Sequence, residues 1–125
     1  MRLSHDDDQE QNRIIAIKLL SLLSPLFGCS MCEQFVGLEF LSLGDDPLAT
    51  IRRETVLNLN TISRIVGKRF FQQKMLPFYS QMCNDAEWIV RKAAVEVLID
   101  VVTIWYKFCY TRNIILLYLL YLRLL

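Results

Sequence analysis

The sequence predicts an all-α fold, an α-solenoid of about two and a half stacked helical pairs, and three observations predict it. The first is a repeat. Asp7-Asp-Gln-Glu-Gln-Asn-Arg13, Asp46-Pro-Leu-Ala-Thr-Ile-Arg52 and Asp85-Ala-Glu-Trp-Ile-Val-Arg91 recur at a 39-residue period without gaps. Behind them the apolar columns Ile17/Val56/Val95, Leu20/Leu59/Leu98 and Leu23/Ile62/Val101 hold the same register. The second is helical spacing, with Ile51, Thr55, Leu59, Ile62 and Val66 recurring every three or four positions. The third is composition: four Gly and three Pro in 125 residues suit helices better than many short strands.

A period of this size with two helical patterns per unit is that of a HEAT-type array. No pair in such an array can bury its apolar side alone, so each leans on its neighbour. A 54% hydrophobic, 22% charged chain with net charge +1 excludes a disordered segment. It also lacks the clustered excess of Lys and Arg that an electrostatic nucleic-acid surface needs, so no nucleic-acid partner is expected. Residues 1–8 hold no apolar stretch of signal-peptide length before the acidic cluster, which argues against secretion. Cys29, Cys32, Cys83 and Cys109 are irregularly spaced and read as reduced thiols, which suits a cytoplasmic or nuclear location.

In chain order, Asp6 to Asp8 supply N-cap oxygens to a helix that starts near Gln9 and runs through Ile14, Ile17, Leu20 and Leu23. Pro25 bends or ends it near Ser24, and Gly28 is the stop. A second helix covers residues 32–43, with Phe35, Val36, Phe40 and Leu43 on its apolar side. Residues 44–47 form a turn whose Asp caps a third helix over residues 48–66, with Pro47 in its first turn. Gly67 closes that helix. A fourth, residues 68–83, buries Phe71, Met75, Leu76, Phe78, Tyr79 and Met82 and is bent by Pro77. Asn84 and Asp85 cap a fifth from Ala86 onward, which turns Val90, Ala94, Val97, Leu98 and Val101 inward. The order is one B helix followed by two complete A–B pairs.

The period fails after Val102, so the array is assigned to residues 1–106 and a hydrophobic C-terminal extension to residues 107–125. A fourth unit would place an Asp at position 124, which is Leu124. Three readings of the extension stand: an atypical last helix folded back on the array, a membrane span, or the tail of a truncated or wrongly spliced chain. Against the span, a window over residues 104–122 has Arg112 near its middle, at a cost of about 2.5–3.5 kcal/mol. The uninterrupted apolar run, residues 114–122, is far shorter than the ~20 residues a bilayer needs.

Four stretches go beyond the generic pattern: Cys32-Glu-Gln-Phe-Val-Gly-Leu-Glu-Phe-Leu-Ser-Leu-Gly-Asp-Asp-Pro47, Thr55-Val-Leu-Asn-Leu59, Met75-Leu-Pro-Phe-Tyr79 and Trp88-Ile-Val-Arg-Lys-Ala-Ala94. Together they resemble the HEAT-repeat scaffold and regulatory subunits of serine/threonine protein phosphatases, closest to the family of protein phosphatase 4 regulatory subunit 1. The resemblance spans residues 9–102. It implies a non-catalytic subunit that binds a serine/threonine phosphatase catalytic subunit and directs its substrate choice. In that family the turns inside each repeat form a ridge against partners. By position these are residues 44–48 and 84–88, which makes Asp45, Asp46, Pro47, Asp85, Glu87 and Trp88 the implied partner-binding residues. Family members stack many more repeats than this chain carries.

Each candidate has a plainer reading. Asp46 and Asp85 cap helices and pair with Arg52 and Arg91, within a repeat or across repeats. Trp88 is either a plug packed beneath the ridge or an exposed anchor for a partner. The pairs Arg52-Arg53 and Arg91-Lys92 form a solvated face or a contact for an acidic partner. Cys29-Ser-Met-Cys32 lacks two further zinc ligands nearby and reads as buried thiols at a helix junction. With one His, no phosphate loop and no nucleophile elbow, neither an enzyme nor a metal or cofactor is expected. Two other functions fit the text: a membrane-tethered adaptor held by the C-terminal segment, and a HEAT solenoid of another class, such as a transport-receptor fragment.

Overall fold

The 39-residue register is carried into the backbone, down to its irregularities. The computed structural model describes the backbone of residues 2–109 and 121–124 and the side chains of residues 8–108 and 121–124. Among them no strand occurs. The helices are α1 (Arg2–Met31), α2 (Gly37–Leu43), α3 (Ala49–Leu57), α4 (Leu59–Ser63), α5 (Lys68–Phe70), α6 (Leu76–Cys83), α7 (Trp88–Glu96) and α8 (Leu98–Cys109). Two wider π turns, Cys32–Val36 and Phe71–Met75, lead into α2 and α6.

These elements form two layers. In one, α1 lies against α3 and α4, α3 against α7, and α4 against α8. The other holds residues 32–43 and 68–83, whose α2 and α6 pack on α3 and α7. The order B, A–B, A–B is therefore the observed one. Ile17, Phe40, Ile51, Val56, Leu59, Ile62, Met75, Tyr79, Val90 and Val101 belong to one buried core. Each apolar side chain of this size contributes about 1.5–3 kcal/mol on full burial. The register shows how far each pair depends on its neighbour. Ile62 and Val66, and their equivalents Val101 and Trp105, are buried, whereas Leu23 and Phe27 of α1 stay at least 40% exposed.

Several sequence expectations are corrected. The first helix starts at Arg2 rather than near Gln9, so Asp6 to Asp8 lie within it and not ahead of its start. It also runs through Pro25. The carbonyl that proline leaves without a donor, that of Ser21, accepts the Ser24 hydroxyl at 2.8 Å instead. The break falls at Gly28, whose φ of 78° belongs to the left-handed region open to glycine. Phe35, assigned to the apolar side, is 60% exposed, because the π turn at residues 32–36 rotates it outward. The third helix is divided by Asn58, whose side-chain amide donates to the Glu54 carbonyl at 2.8 Å. Val97, 39 residues on, divides α7 from α8 in the same way.

The π turns are also 39 residues apart, so Pro77 alone does not cause them. In both, an N–H reaches back five residues, from Gly37 to Cys32 and from Leu76 to Phe71. The expected bend in the fourth helix is this widened turn, which leaves Pro77 in the first turn of α6.

The two A helices touch through glycine. A Cβ on Gly44 would collide with the Phe78 ring, and one on Gly37 would come within 2.8 Å of the Phe70 ring. Tyr79 then ties its layer to the other by donating to the Ala94 carbonyl at 2.7 Å. At the C-terminal end the Phe71 ring packs on Trp105 and Phe108, with centroids 6.3 and 5.5 Å away. Residues 110–120, which hold most of the expected C-terminal helix, lie outside the described residues. Among the described residues one stretch, Asp8–Leu43, is long and apolar enough by length and composition to cross a membrane. Here it is broken at Gly28 and sends Ile17, Cys32 and Phe40 into the core.

The glycine contact makes a direct prediction. Gly44→Ala should cost about 1–3 kcal/mol in urea unfolding, because a ring blocks the new methyl. Adding Phe78→Ala should recover part of that loss in a double-mutant cycle. An additive cycle would contradict the contact.

Candidate functional site

The turns at residues 44–48 and 84–87 are built alike. Asp46 Oδ1 accepts the Leu48 N–H and Asp85 Oδ1 accepts the Glu87 N–H, each at 2.9 Å. Leu48 and Glu87 are the N-cap residues themselves and make no side-chain cap bond. The aspartates thus brace the turn two residues upstream and do not sit at the N-cap, a correction to the capping expectation. Arg52 and Arg91 close the same turns from inside the helices. Arg52 Nη1 donates to the Asp46 and Pro47 carbonyls at 2.8 and 3.0 Å. Arg91 Nη1 donates to those of Asp85 and Ala86 at 2.6 and 2.9 Å.

The charged pairs run between repeats. Arg52 holds Asp85 with both groups of one guanidinium edge, Nε to Oδ2 at 2.8 Å and Nη2 to Oδ1 at 3.1 Å. Arg13 Nε lies 2.9 Å from Asp46 Oδ2, off the hydrogen-bonding direction. Both aspartate side chains are at most 10% exposed. Burial pushes the Asp85 carboxyl up, but the Arg52 guanidinium, the Glu87 amide and the Arg91 charge outweigh it and hold it below the usual carboxylate range. Lesser rungs flank these. Glu10 accepts from the Thr50 hydroxyl at 2.6 Å, and Asp100 from the Asn60 amide at 2.8 Å.

With Asp46 and Asp85 occupied, Asp45, Pro47, Leu48, Asn84, Ala86, Glu87 and Trp88 are the residues that face solvent along these turns. Trp88 is 61% exposed, which removes the plug reading. Beside it a groove of about 200 Å³ runs between Arg53, Trp88, Ile89, Lys92, Ala93 and Glu96. Trp88, Lys92 and Glu96 share one helix face at four-residue spacing, and Arg53 is the register equivalent of Lys92 in the repeat before. Ile89 and Glu96 were not singled out from sequence, although that spacing from Trp88 could have found Glu96. Asp45 sits on the same edge, 3.5 Å from Gln81 Nε2.

The Cys-x-x-Cys pair is divided rather than buried together. Cys32 is buried and donates to the Ser24 carbonyl at 3.3 Å, whereas Cys29 is exposed beside Glu33 at 3.6 Å. Desolvation and the Glu33 carboxylate raise the Cys29 thiol above its usual pKa, and desolvation raises that of Cys32. Glu33 itself accepts the Gly67 N–H at 2.9 Å, at the start of the next A helix.

Residues 75–105 match the family model of the HEAT repeat. That stretch holds the second half of one A helix, the Asp85 turn and most of the following B helix. HEAT repeats are typically non-catalytic helical pairs that mediate protein–protein contacts. No curated protein and no solved structure matches the chain.

Asp85→Asn should lower stability at neutral pH by about 2 kcal/mol in urea unfolding, since a charged, nearly buried pair is lost. The lowered pKa gives the pH dependence its sign. The increment is present above the ordinary carboxylate pKa and is lost on acidification, so the gap between wild type and variant should close below about pH 4. A gap that persists unchanged at pH 2 would contradict an ionic rung.

Proposed function

We propose that this chain is a non-catalytic protein-binding scaffold that works as a regulatory piece of a serine/threonine phosphatase complex. Its partner docks along the edge made by residues 44–48 and 84–88. The observation that carries the reading is Trp88, a large aromatic left 61% exposed on a turn that Asp85 and Arg91 hold rigid. Exposing such a ring to water is unfavourable, and rigid aromatic anchors beside a groove dominate binding energetics. Asp45 and Glu87 supply a polar rim along the same edge, with Pro47 exposed beside Asp45, while Arg53, Lys92 and Glu96 offer charge of both signs next to the ring. Asp46 and Asp85 act by holding the turns in place.

The choice of a phosphatase catalytic subunit as partner is supported by the four sequence stretches that resemble the scaffold subunits of those enzymes. The free thiols of Cys29, Cys32 and Cys83 suit work in the cytoplasm or nucleus.

The experiment is capture of purified serine/threonine phosphatase catalytic subunits by the immobilised chain, with Trp88→Ala as comparison. Binding should fall about 30-fold or more in the variant, while its thermal midpoint stays that of the wild type. Failure of the wild type to bind any such subunit would overturn the phosphatase reading. Equal binding by the variant would overturn the anchor.

A further inference from the structure

The ladder of arginines and aspartates stops one rung short. Arg13 meets Asp46 and Arg52 meets Asp85, each across an offset of 33 residues. Arg91 repeats the inner half of the pattern, with Nη1 on the carbonyls of its own turn. In Arg52 the other edge, Nε and Nη2, takes a carboxylate. In Arg91 that edge meets no carboxylate among the described residues. At the same 33-residue offset stands Leu124.

Leu124 does lie beside Arg91. With Cys83, Lys92, Val95 and Arg123 the two line a cavity of about 330 Å³. Three of the lining residues are cations and none is an acid. Lys92 has Glu96 only at 4.0 Å, with both side chains more than half exposed. The remaining walls, Val95, Leu124 and the buried Cys83, are apolar.

We propose that this cavity is a docking pocket for an aspartate side chain carried by an acidic segment of a partner protein. Arg91 would take the carboxylate as Arg52 takes Asp85, with Lys92 and Arg123 adding charge at the mouth. A planar guanidinium with one edge open matches a carboxylate bidentately. The apolar walls receive the segment's carbon atoms. The volume is about ten times a water molecule's share of the liquid, more room than a lone small anion fills. The pocket does not depend on the phosphatase reading, and a Trp88→Ala chain should retain it.

The test uses the full chain and a fluorescein-labelled synthetic peptide with the sequence of residues 84–96, the segment that Arg52 already holds by Asp85. Its Asp85→Asn version is the control. The acidic peptide should bind about tenfold more tightly than the control, and less tightly as salt rises. Arg91 also clamps its own turn, so replacing it risks unfolding, and two other variants carry the test. Arg123→Ser should weaken binding about threefold. Leu124→Asp should supply the missing carboxylate from within the chain, abolish peptide binding and raise the thermal midpoint. Equal affinity for both peptides, or undiminished binding by a folded Leu124→Asp chain, would overturn the proposal. Displacement of the peptide by inorganic phosphate at matching concentration would overturn it in favour of a free-anion site. Self-association of the wild type, lost in Leu124→Asp, would overturn it in favour of a second copy as occupant.

Discussion

The arrangement depends on one interaction, the ion pair from an arginine of one repeat to the aspartate of the next, Arg13 to Asp46 and Arg52 to Asp85. It joins three jobs that would otherwise need separate devices. Arg52 satisfies carbonyls of its own turn, binds the following turn through Asp85, and keeps that carboxylate ionised against the cost of burial. Removing either partner would leave a nearly buried charge alone, the situation that nonpolar surroundings penalise most. The apolar columns supply most of the stabilisation, but they are permissive about sliding. A bidentate fork is not, so the rung sets how far one helical pair is displaced against its neighbour.

That division of labour accounts for which surfaces stay free. Aspartates spent on the ladder cannot serve a partner, and the turns they brace push Glu87 and Trp88 outward instead. A brace also lowers the entropy that an exposed loop loses on binding. Trp88, Lys92 and Glu96 sit on a helix whose first turn is held at both ends, by Asp85 and by Arg91. The open edge of Arg91 is the same device with its partner removed. One residue type thus makes a rung at Arg52 and, among the described residues, meets no carboxylate at Arg91.

Much of this was legible in the sequence because periodicity encodes it. Asp7, Asp46 and Asp85 in register with Arg13, Arg52 and Arg91 announced the ladder, and the apolar columns announced the core of Leu59, Ile62 and Val101. Spacing could not show whether an Asp pairs within or across repeats, since both readings use the same columns. Nor could it show the path of the axis. The π turns occur before Gly37–Leu38 and before Pro77 alike, and Asn58 and Val97 divide their helices with different side chains. The stop at Gly28 was legible, but not that the helix passes Pro25, where the Ser24 hydroxyl serves the Ser21 carbonyl. Trp88 was ambiguous because a tryptophan in a turn suits burial and exposure equally well until a neighbour's position is known. The period alone marks Leu124 as the place of a missing aspartate, but spacing could not show that it lies beside Arg91.

The most direct test is native-state hydrogen exchange of the full chain, read at amides of α3 and α7 in the wild type and in Arg52→Met. If the rung couples successive pairs, protection falls on both sides of it together and by the same free energy. Loss of protection confined to α3, with α7 exchanging as in the wild type, would contradict the account.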